Sequence, residues 1–218
     1  MIPHNLRHFA SLKFLETVDE NDYVFFVDSR DLVFQKSPVE IAHMLRELGN
    51  LHVFDEGKFY FKGGSLQNFD ESIVNSMWVR HLLNAKEIPS FLKGRDKYVL
   101  NGGCVIGKAK SFVEYFNRVC ELILLSNSGI WEILDQATLN VTIYERLLSN
   151  PRNEITKIYP NGEVVLNMCG VIEEEVKTND GKVLLRGKII PIVHQFDRFG
   201  SYSVEKGFEF THREYRIA

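Results

Sequence analysis

The sequence predicts an α/β fold with a mostly parallel central sheet flanked by helices. Two observations lead to this prediction. Short apolar runs alternate with capped helical segments up to residue 150, which is typical of strands joined by crossover helices. Beyond that point, turn sequences separate closely spaced apolar runs, which indicates an antiparallel hairpin region. We therefore expect a single domain, with an α/β core at 1–150 and antiparallel strands with a C-terminal tail at 151–218.

The core begins with a helix and a strand, and this order is then repeated. Residues 5–20 place apolar side chains near one helical face. Residues 23–27 form a continuous apolar run, which suits a central strand with both faces covered. The Ser-Pro-Val-Glu sequence at 37–40 combines a capping box with proline at the first helical position, so a helix is expected from there to Leu48. Residues 51–54 predict the next strand.

The middle of the chain is predicted to contain a loop, two helices and two short strands. A loop is expected at 58–68, and Asp70 is expected to cap the helix that follows it. Apolar runs at 98–100 and 104–106 predict two strands separated by an Asn-Gly-Gly sequence. A second capping box, Ser-Phe-Val-Glu, begins the helix expected at 111–125.

One more helix and the C-terminal strands complete the predicted order. The helix covers 131–148, and Pro151 lies just beyond it. Asn-Gly and Asn-Asp-Gly sequences mark turns between strands, as in β-hairpins. The expected strands are at 155–159, 163–167, 172–177, 182–186 and 188–194.

Composition and charge exclude several classes of protein. The chain has 218 residues, with 26 Lys+Arg against 29 Asp+Glu and a net charge of −3. It shows no basic stripe, so we expect no nucleic-acid partner. Three cysteines without a CxxC pair predict neither a disulfide framework nor a cysteine zinc site. No apolar stretch approaches about 20 residues and no secretory signal is visible, so we expect a cytoplasmic protein without an integral membrane segment.

Two carboxylates follow the first predicted strand. Asp28 lies at its end, and Asp31 comes after a tight turn. Ligands of open α/β sheets bind outside the carboxyl ends of the strands, and Mg²⁺ and Mn²⁺ prefer oxygen ligands. The pair could therefore hold a divalent cation. The alternative is local, because turn aspartates often bind the neighbouring backbone, and Asp31 could pair with Arg30 or a lysine.

The glycines of the Asn101-Gly102-Gly103 sequence let a ligand or another backbone approach closely, or they form a tight strand connection with positive dihedral angles. The segment does not match GxGxxG, and the chain has no GxxxxGK[ST] sequence. Both absences disfavour a Rossmann dehydrogenase and a P-loop nucleotidase.

Two further polar clusters are candidates for a site. Asp135, Gln136 and Asn140 lie about one helical turn apart and can face one surface, although Asp135 could simply cap its helix. His194 follows the last apolar strand, where a histidine can ligate a metal or titrate near neutral pH. The alternative for His194 is a purely structural role.

Taken together and in order, these clusters resemble those of nucleotide-sugar-dependent glycosyltransferases of the A-type fold. Residues 24–35 resemble the acidic metal motif at a strand end, and 101–107 are similar to the Asn-x-Gly segment that lines the sugar and acceptor pocket. Residues 135–140 resemble the Asp-Gln…Asn helix start of the retaining branch. Residues 193–198 are similar to a C-terminal motif whose histidine supplies the last metal ligand. The resemblance covers roughly 21–198.

The resemblance implies a divalent cation, Mn²⁺ or Mg²⁺, which bridges Asp31, His194 and the diphosphate of a sugar nucleotide. Asp28 would contribute through the ribose or a metal-bound water. The implied reaction moves the sugar to a glycan or another hydroxyl acceptor, and retention of configuration is favoured because no Glu-Asp base motif of the inverting branch is visible. The cation would stabilise the charge on the leaving diphosphate.

The resemblance also assigns the remaining site residues. Asn101, Asp135 and Gln136 would hold sugar hydroxyls or the acceptor, and Gly102 and Gly103 would line the donor pocket. The diphosphate contact is left open among three cations: Arg30, Lys188 and Arg198.

The sequence departs from the family pattern in two places. Two residues separate Asp28 from Asp31, where the usual motif is Asp-x-Asp, and the apolar residues after Asp31 make it the firmer ligand. Only 27 residues precede Asp28, so we expect the nucleotide-binding βαβ unit of about 30 residues to be missing or reduced. The alternatives are a non-catalytic module of this fold that binds a sugar or a partner, and a metal-dependent phosphohydrolase.

Overall fold

The computed structural model describes residues 3–29, 31–60, 71–93, 97–126, 135–149 and 156–195. Its helices are Pro3–Leu15 (α1), Pro38–Leu45 (α2), Ile73–Leu82 (α3), Ala109–Leu125 (α4) and Asp135–Ser149 (α5). Its strands are Tyr23–Val27 (β1), Leu32–Phe34 (β2), Leu51–Tyr60 (β3), Glu71–Ser72 (β4), Tyr98–Lys108 (β5), Thr156–Tyr159 (β6), Val165–Asn167 (β7), Val176–Asn179 (β8), Lys182–Leu185 (β9), Lys188–Ile189 (β10) and Ile192–His194 (β11). No helix in these ranges is long and apolar enough to cross a membrane.

The central sheet is mixed, which makes the prediction of a mostly parallel sheet wrong, whereas the α/β class is confirmed. Its order is β1–β5–β3, and β4 and β6 share the other edge of β3. Strand β5 runs antiparallel to β1 and β3, whereas β4 and β6 run parallel to β3. An apolar run predicts a buried strand but not its direction. Strand β5 inserts between β1 and β3 in the opposite direction, so the two longest pairings are antiparallel.

Strand β5 is a single strand of 11 residues, where two short strands were expected. Gly102 and Gly103 do not adopt positive φ angles, so the backbone stays extended through the Asn-Gly-Gly sequence. The predicted break is therefore wrong, and Asn101 and both glycines lie inside the sheet. This placement brings them beside the end of β1.

Different elements pack on the two faces of the central sheet. Helices α1, α3, α4 and α5 pack on the face that carries Val53 and Val105. Helix α2 and a second sheet, of order β2–β11–β7, pack on the face that carries Phe54 and Ile106. The second sheet holds the residues that complete the candidate site.

The helix starts agree only in part with the predicted caps. The Ser37 capping box is confirmed, although α2 ends at Leu45 rather than Leu48. Ser72 caps α3, and Asp70 lies outside the described residues. Helix α4 begins at Ala109, so the box at 111–114 does not start it. Backbone carbonyls of the α1–β1 loop accept the first N–H groups of α4 instead, and such tertiary capping has no local sequence signature.

The antiparallel region at the C-terminal end is confirmed. Strands β8, β9 and β10 form an antiparallel sheet, and Asp180 and Gly181 both take positive φ in the two-residue turn between β8 and β9. The single strand expected at 188–194 is divided into β10 and β11, which belong to different sheets. Pro191 lies between them, and β11 pairs antiparallel with β2 and parallel with β7.

Candidate metal centre

Asp28 and Asp31 lie where the central sheet meets the second sheet. Asp28 follows β1 directly, and its N–H donates to the carbonyl of Gly103 at 2.8 Å, which extends the β1–β5 ladder by one bond. Asp31 immediately precedes β2, and its carbonyl accepts from the N–H of Gln195 at 2.7 Å. Backbone pairing on both sides therefore fixes the two carboxylates. Arg30, between them, lies outside the described residues.

His194 brings an imidazole to these carboxylates from a distant part of the sequence. It is the last residue of β11, and its ring is 2% exposed. Its Nε2 lies 3.5 Å from Asp28 Oδ2 and 3.6 Å from Asp31 Oδ1. One candidate ligand atom from each residue lies within 4.8 Å of the other two. The sequence predicted these three residues as metal ligands, and the fold brings them together.

The orientation of the imidazole leaves one nitrogen for a ligand. Its Nδ1 lies 2.9 Å from the carboxamide oxygen of Asn167, its register partner on β7. The Asn167 amide donates to the carbonyl of Asp55 at 2.7 Å, so the oxygen of Asn167 faces the ring and Nδ1 carries a proton. Among the described residues, the buried Nε2 makes no hydrogen bond of ordinary length and faces only the carboxylate oxygens at 3.5 and 3.6 Å. An oriented histidine of this kind is typical of metal ligands.

Gly103 provides the space into which Nε2 points. A Cβ at this position would lie 2.2 Å from His194 Nε2 and 2.8 Å from Asp28 Oδ2. Both separations are below any tolerable contact, so a residue with a side chain would displace the ring or the carboxylate. The glycine requirement therefore comes from the cluster itself and not from backbone strain.

The charges of the cluster stabilise one another. Burial alone would raise the pKa of Asp28, but the neighbouring His194 and Arg7 outweigh it and lower that pKa to about 2. The neighbouring His194, opposed by burial, lowers the pKa of Asp31. Burial acts to lower the pKa of His194, whereas the two carboxylates act to raise it, and the net shift is upward. The two carboxylates thus favour a positive charge at this point, which either a proton on Nε2 or a bound cation supplies.

The donor set fits a divalent cation with mixed ligand preference. Two carboxylate oxygens and one imidazole nitrogen suit Mn²⁺ better than Mg²⁺, which is bound almost entirely by oxygen. Adjacent ligands of an octahedral ion with bonds of about 2.1 Å lie about 3.0 Å apart. The separations of Nε2 from the two carboxylate oxygens, 3.5 and 3.6 Å, exceed this spacing by about half an ångström.

Arg7 contacts the candidate site although the sequence did not indicate it. Its Nη1 donates to Asp28 Oδ1 and its Nη2 to Asp135 Oδ2, each at 2.6 Å. The guanidinium also lies over the ring of Phe26, 5.1 Å from its centroid. One side chain thus joins α1, β1 and α5. No motif marks a single arginine in an amphipathic helix, so only the fold identifies it.

A second polar cluster adjoins the first through β5. The carboxylate oxygen Oε1 of Glu56, on β3, accepts from Asn101 Nδ2 at 2.8 Å and from Gln136 Nε2 at 2.9 Å. Gln136 Nε2 also donates to Asn75 Oδ1 at 2.7 Å. The sequence analysis named Asn101 and Gln136 but missed Glu56, which follows Asp55 after the strand predicted at 51–54, and Asn75, which lies inside a predicted helix.

The other predicted site residues lie near the two clusters or have structural roles. Asp135 begins α5, and its Oδ1 accepts from the N–H of Gln136 at 2.8 Å, so it has a local role as well as its ion pair with Arg7. Gly102 lies against Gln136, with its N–H 3.4 Å from Oε1. Asn140 is fully buried and holds the backbone of Leu100, which is a structural role.

Of the three candidate diphosphate cations, Lys188 is exposed on β10, and Arg30 and Arg198 lie outside the described residues.

A scan against protein-family models and a search of curated proteins found no match to this chain. We therefore infer its function from the geometry of the candidate site.

Proposed function

We propose that this protein is a divalent-cation-dependent glycosyltransferase that moves a sugar from a nucleoside-diphosphate donor to a hydroxyl of a glycan or another acceptor. One observation carries the proposal. Asp28 and Asp31 meet the buried Nε2 of His194, which comes from a distant segment, beside Gly103, where a Cβ would lie 2.2 Å from this nitrogen. Among the described residues Nε2 has only the two carboxylates near it, at 3.5 and 3.6 Å, and a cation bound between the three groups would complete its contacts.

The described residues suggest which side chains would hold the cation and which would position them. Asp28, Asp31 and His194 would hold the cation, which when bound supplies Lewis-acid stabilisation of the leaving diphosphate. Arg7 holds Oδ1 of Asp28 and thereby turns Oδ2 toward His194. Fixing this carboxylate rotamer prepares the site in advance, so less order has to be gained when the cation binds.

The adjoining amide cluster suits a hydroxyl-rich ligand. Gln136 is half-buried and its carboxamide carries a donor and an acceptor, which is what recognition of sugar hydroxyls requires, whereas Asn101 is 1% exposed and lies behind this surface. Gly102 is half-buried and lies against Gln136, so backbone and side chain meet at the same surface. We assign the donor sugar or the acceptor to this surface, and expect transfer with retention of configuration.

The proposal is tested by the thermal stability of the full chain with Mn²⁺ and UDP or GDP. A ligand at 100 times its Kd adds about 2.7 kcal/mol to the free energy of unfolding, which corresponds to about 5–10 °C in Tm for a chain of this size. We expect such a shift for the wild type and none for Asp31→Asn. Asp180→Asn, which removes the same charge in an exposed turn that tolerates asparagine, should keep the full shift.

Other outcomes of the same measurements decide between the functions. The proposal is wrong if Mn²⁺ together with UDP, GDP or their sugars leaves the Tm unchanged. Binding of a sugar nucleotide without turnover on any offered acceptor or water would identify a non-catalytic binding module. Hydrolysis of a simple phosphate ester, with no requirement for a sugar nucleotide, would identify a phosphohydrolase.

A further inference from the structure

Glu56 is a buried carboxylate that three side-chain amides surround. It is 5% exposed on β3, and its Oε1 accepts from Asn101 and Gln136 at 2.8 and 2.9 Å. Its Oε2 lies 3.5 Å from Asn75 Nδ2. Within the described ranges, Glu56 forms no ion pair. A buried carboxylate held by neutral groups alone carries a large desolvation cost, which hydrogen bonding offsets only in part.

The carboxylate determines which way its neighbours turn. An ionised carboxylate only accepts hydrogen bonds, so Asn101 and Gln136 must both direct their NH₂ groups toward Glu56. Their oxygens then face the Asn-Gly-Gly backbone. Asn101 Oδ1 accepts from the N–H of Gly103 at 2.8 Å, and Gln136 Oε1 lies 3.4 Å from the N–H of Gly102.

We infer that Glu56 is a positioning residue of this site, which orients the carboxamide of Gln136 for the hydroxyls of the transferred sugar, whereas Asn101 is buried beside it. The inference rests on the proposed function, which gives this amide a sugar to recognise. Glu56 itself need not touch the ligand, because it lies behind the amides and only Gln136 and Gly102 of this group are appreciably exposed.

The Glu56→Gln substitution tests this role with little change in shape. A glutamine that keeps its oxygen at the Oε1 position still accepts from Asn101 and Gln136, but its NH₂ group then faces Asn75 Nδ2 at the Oε2 position. If Asn75 turns to relieve these facing donors, its Oδ1 no longer accepts from Gln136 Nε2, so Gln136 must rotate or lose a partner. A rotated amide presents a donor where a sugar hydroxyl needs an acceptor, or the reverse.

The experiment compares affinities for a plain nucleotide and for its sugar derivatives. Calorimetric titration of wild type and Glu56→Gln with Mn²⁺ alone gives the first Kd. Titration with UDP and GDP, and with a panel of UDP- and GDP-hexoses at saturating Mn²⁺, gives the additional affinity due to the sugar. We expect Glu56→Gln to reduce that sugar-dependent gain by roughly 10- to 100-fold, the usual effect of removing an outer support. The Mn²⁺ and plain-nucleotide affinities should stay within about threefold of wild type, since Glu56 is not in the cation cluster.

Asp55→Asn is the matched control on the same strand. Asp55 is also buried, but its Oδ1 accepts from the backbone N–H groups of Gly57 and Asn161, on the other side of β3 from the amides. Its substitution removes an equally buried charge and should leave the sugar-dependent gain unchanged. The Tm of each variant, measured in parallel, separates loss of recognition from loss of fold.

A double substitution shows whether Glu56 acts through Gln136. If it does, Glu56→Gln combined with Gln136→Ala lowers sugar-nucleotide affinity no further than Gln136→Ala alone. Additive losses, or an unchanged sugar-dependent gain in a folded Glu56→Gln variant, would overturn the inference while leaving the proposed function intact. If the wild type with Mn²⁺ binds no sugar nucleotide, the proposed function fails first and the role of Glu56 falls with it.

Discussion

The absence of a side chain at Gly103 gives a sharp test of where the His194 ring lies. Gly103→Ala places a Cβ 2.2 Å from His194 Nε2, so the ring must move out of the cluster. We expect a loss of about tenfold or more in Mn²⁺ affinity, measured from the free-Mn²⁺ electron paramagnetic resonance signal. Gly102→Ala is the matched control for Mn²⁺ binding, because its Cβ points to the opposite face and would lie 3.5 Å from Gln136. Equal affinities in the two variants would contradict the assigned position of His194.

A second prediction concerns the contribution of Arg7 to the free energy of unfolding. Its guanidinium lies between Asp28 and Asp135, with both ion pairs partly shielded from solvent. Arg7→Met keeps the packing on Phe26 and leaves two carboxylates without their shared cation. We expect the free energy of unfolding in urea to fall by about 1–2 kcal/mol at pH 7. Because the charge of Arg7 helps to lower the pKa of Asp28, this loss should shrink as the pH falls below about 4.

The residues also show what local sequence could reveal about the site. Asp28, Asp31, Asn101, Gln136 and His194 were named because each lies at a strand end, a helix start or a glycine pair. Such positions mark the carboxyl edge of an α/β sheet. Of the site residues that were missed, Glu56 has this mark, because it follows the strand predicted at 51–54 together with Asp55, and it could have been named. Arg7 and Asn75 lie within predicted helices, and only tertiary packing reveals what they face.

The packing of helix α1 against the sheet buries His8 and should make stability depend on pH. His8 is buried between Phe26 and Phe116, and neither ring nitrogen has a hydrogen-bond partner among the described residues. Burial, with a smaller contribution from Arg7, lowers its pKa to about 3. Between about pH 6.5 and 3 the unfolded chain binds a proton that the folded chain does not. The contribution of His8 to stability is therefore intact above pH 6.5 and decreases as the pH falls toward 3.

His8→Phe tests this pH dependence through urea unfolding at pH 7, 6 and 5. The variant should gain stability relative to wild type as the pH falls, by up to about 1.4 kcal/mol per pH unit. His43→Phe, at an exposed position of α2, is the control for removal of a histidine. A constant difference between His8→Phe and wild type across this range would show that His8 is not buried as a neutral ring.

Local patterns predicted which elements exist better than how they pair. The Ser37 capping box and the Asp180-Gly181 turn are confirmed because each is a closed local set of hydrogen bonds or dihedral angles. Strand β5 was divided in two because glycines usually interrupt strands, whereas here Gly103 makes room for His194. The start of α4 was misplaced because carbonyls from another part of the chain cap it. Strand direction and tertiary capping both depend on distant residues.

For the whole molecule, the candidate centre is a junction between two sheets. Asp28 belongs to the edge of the central sheet, whereas Asp31 and His194 belong to the ends of β2 and β11 in the second sheet. A cation bound by all three would crosslink these layers. We expect Mn²⁺ alone to raise the Tm of wild type and to slow amide hydrogen exchange in β1 and β11, with no such effect in Asp31→Asn. Stabilisation confined to one sheet would contradict the shared site.

We expect Asp28, Asp31 and His194 to bind a divalent cation together. Electron spin echo envelope modulation of the Mn²⁺-bound protein tests this most directly, because the spectrum detects a nitrogen bonded to the ion. We expect coupling to one imidazole nitrogen, which changes when histidine is labelled with ¹⁵N and disappears in His194→Gln. Bound Mn²⁺ without nitrogen coupling, or the same coupling in His194→Gln, would show that His194 does not ligate the ion.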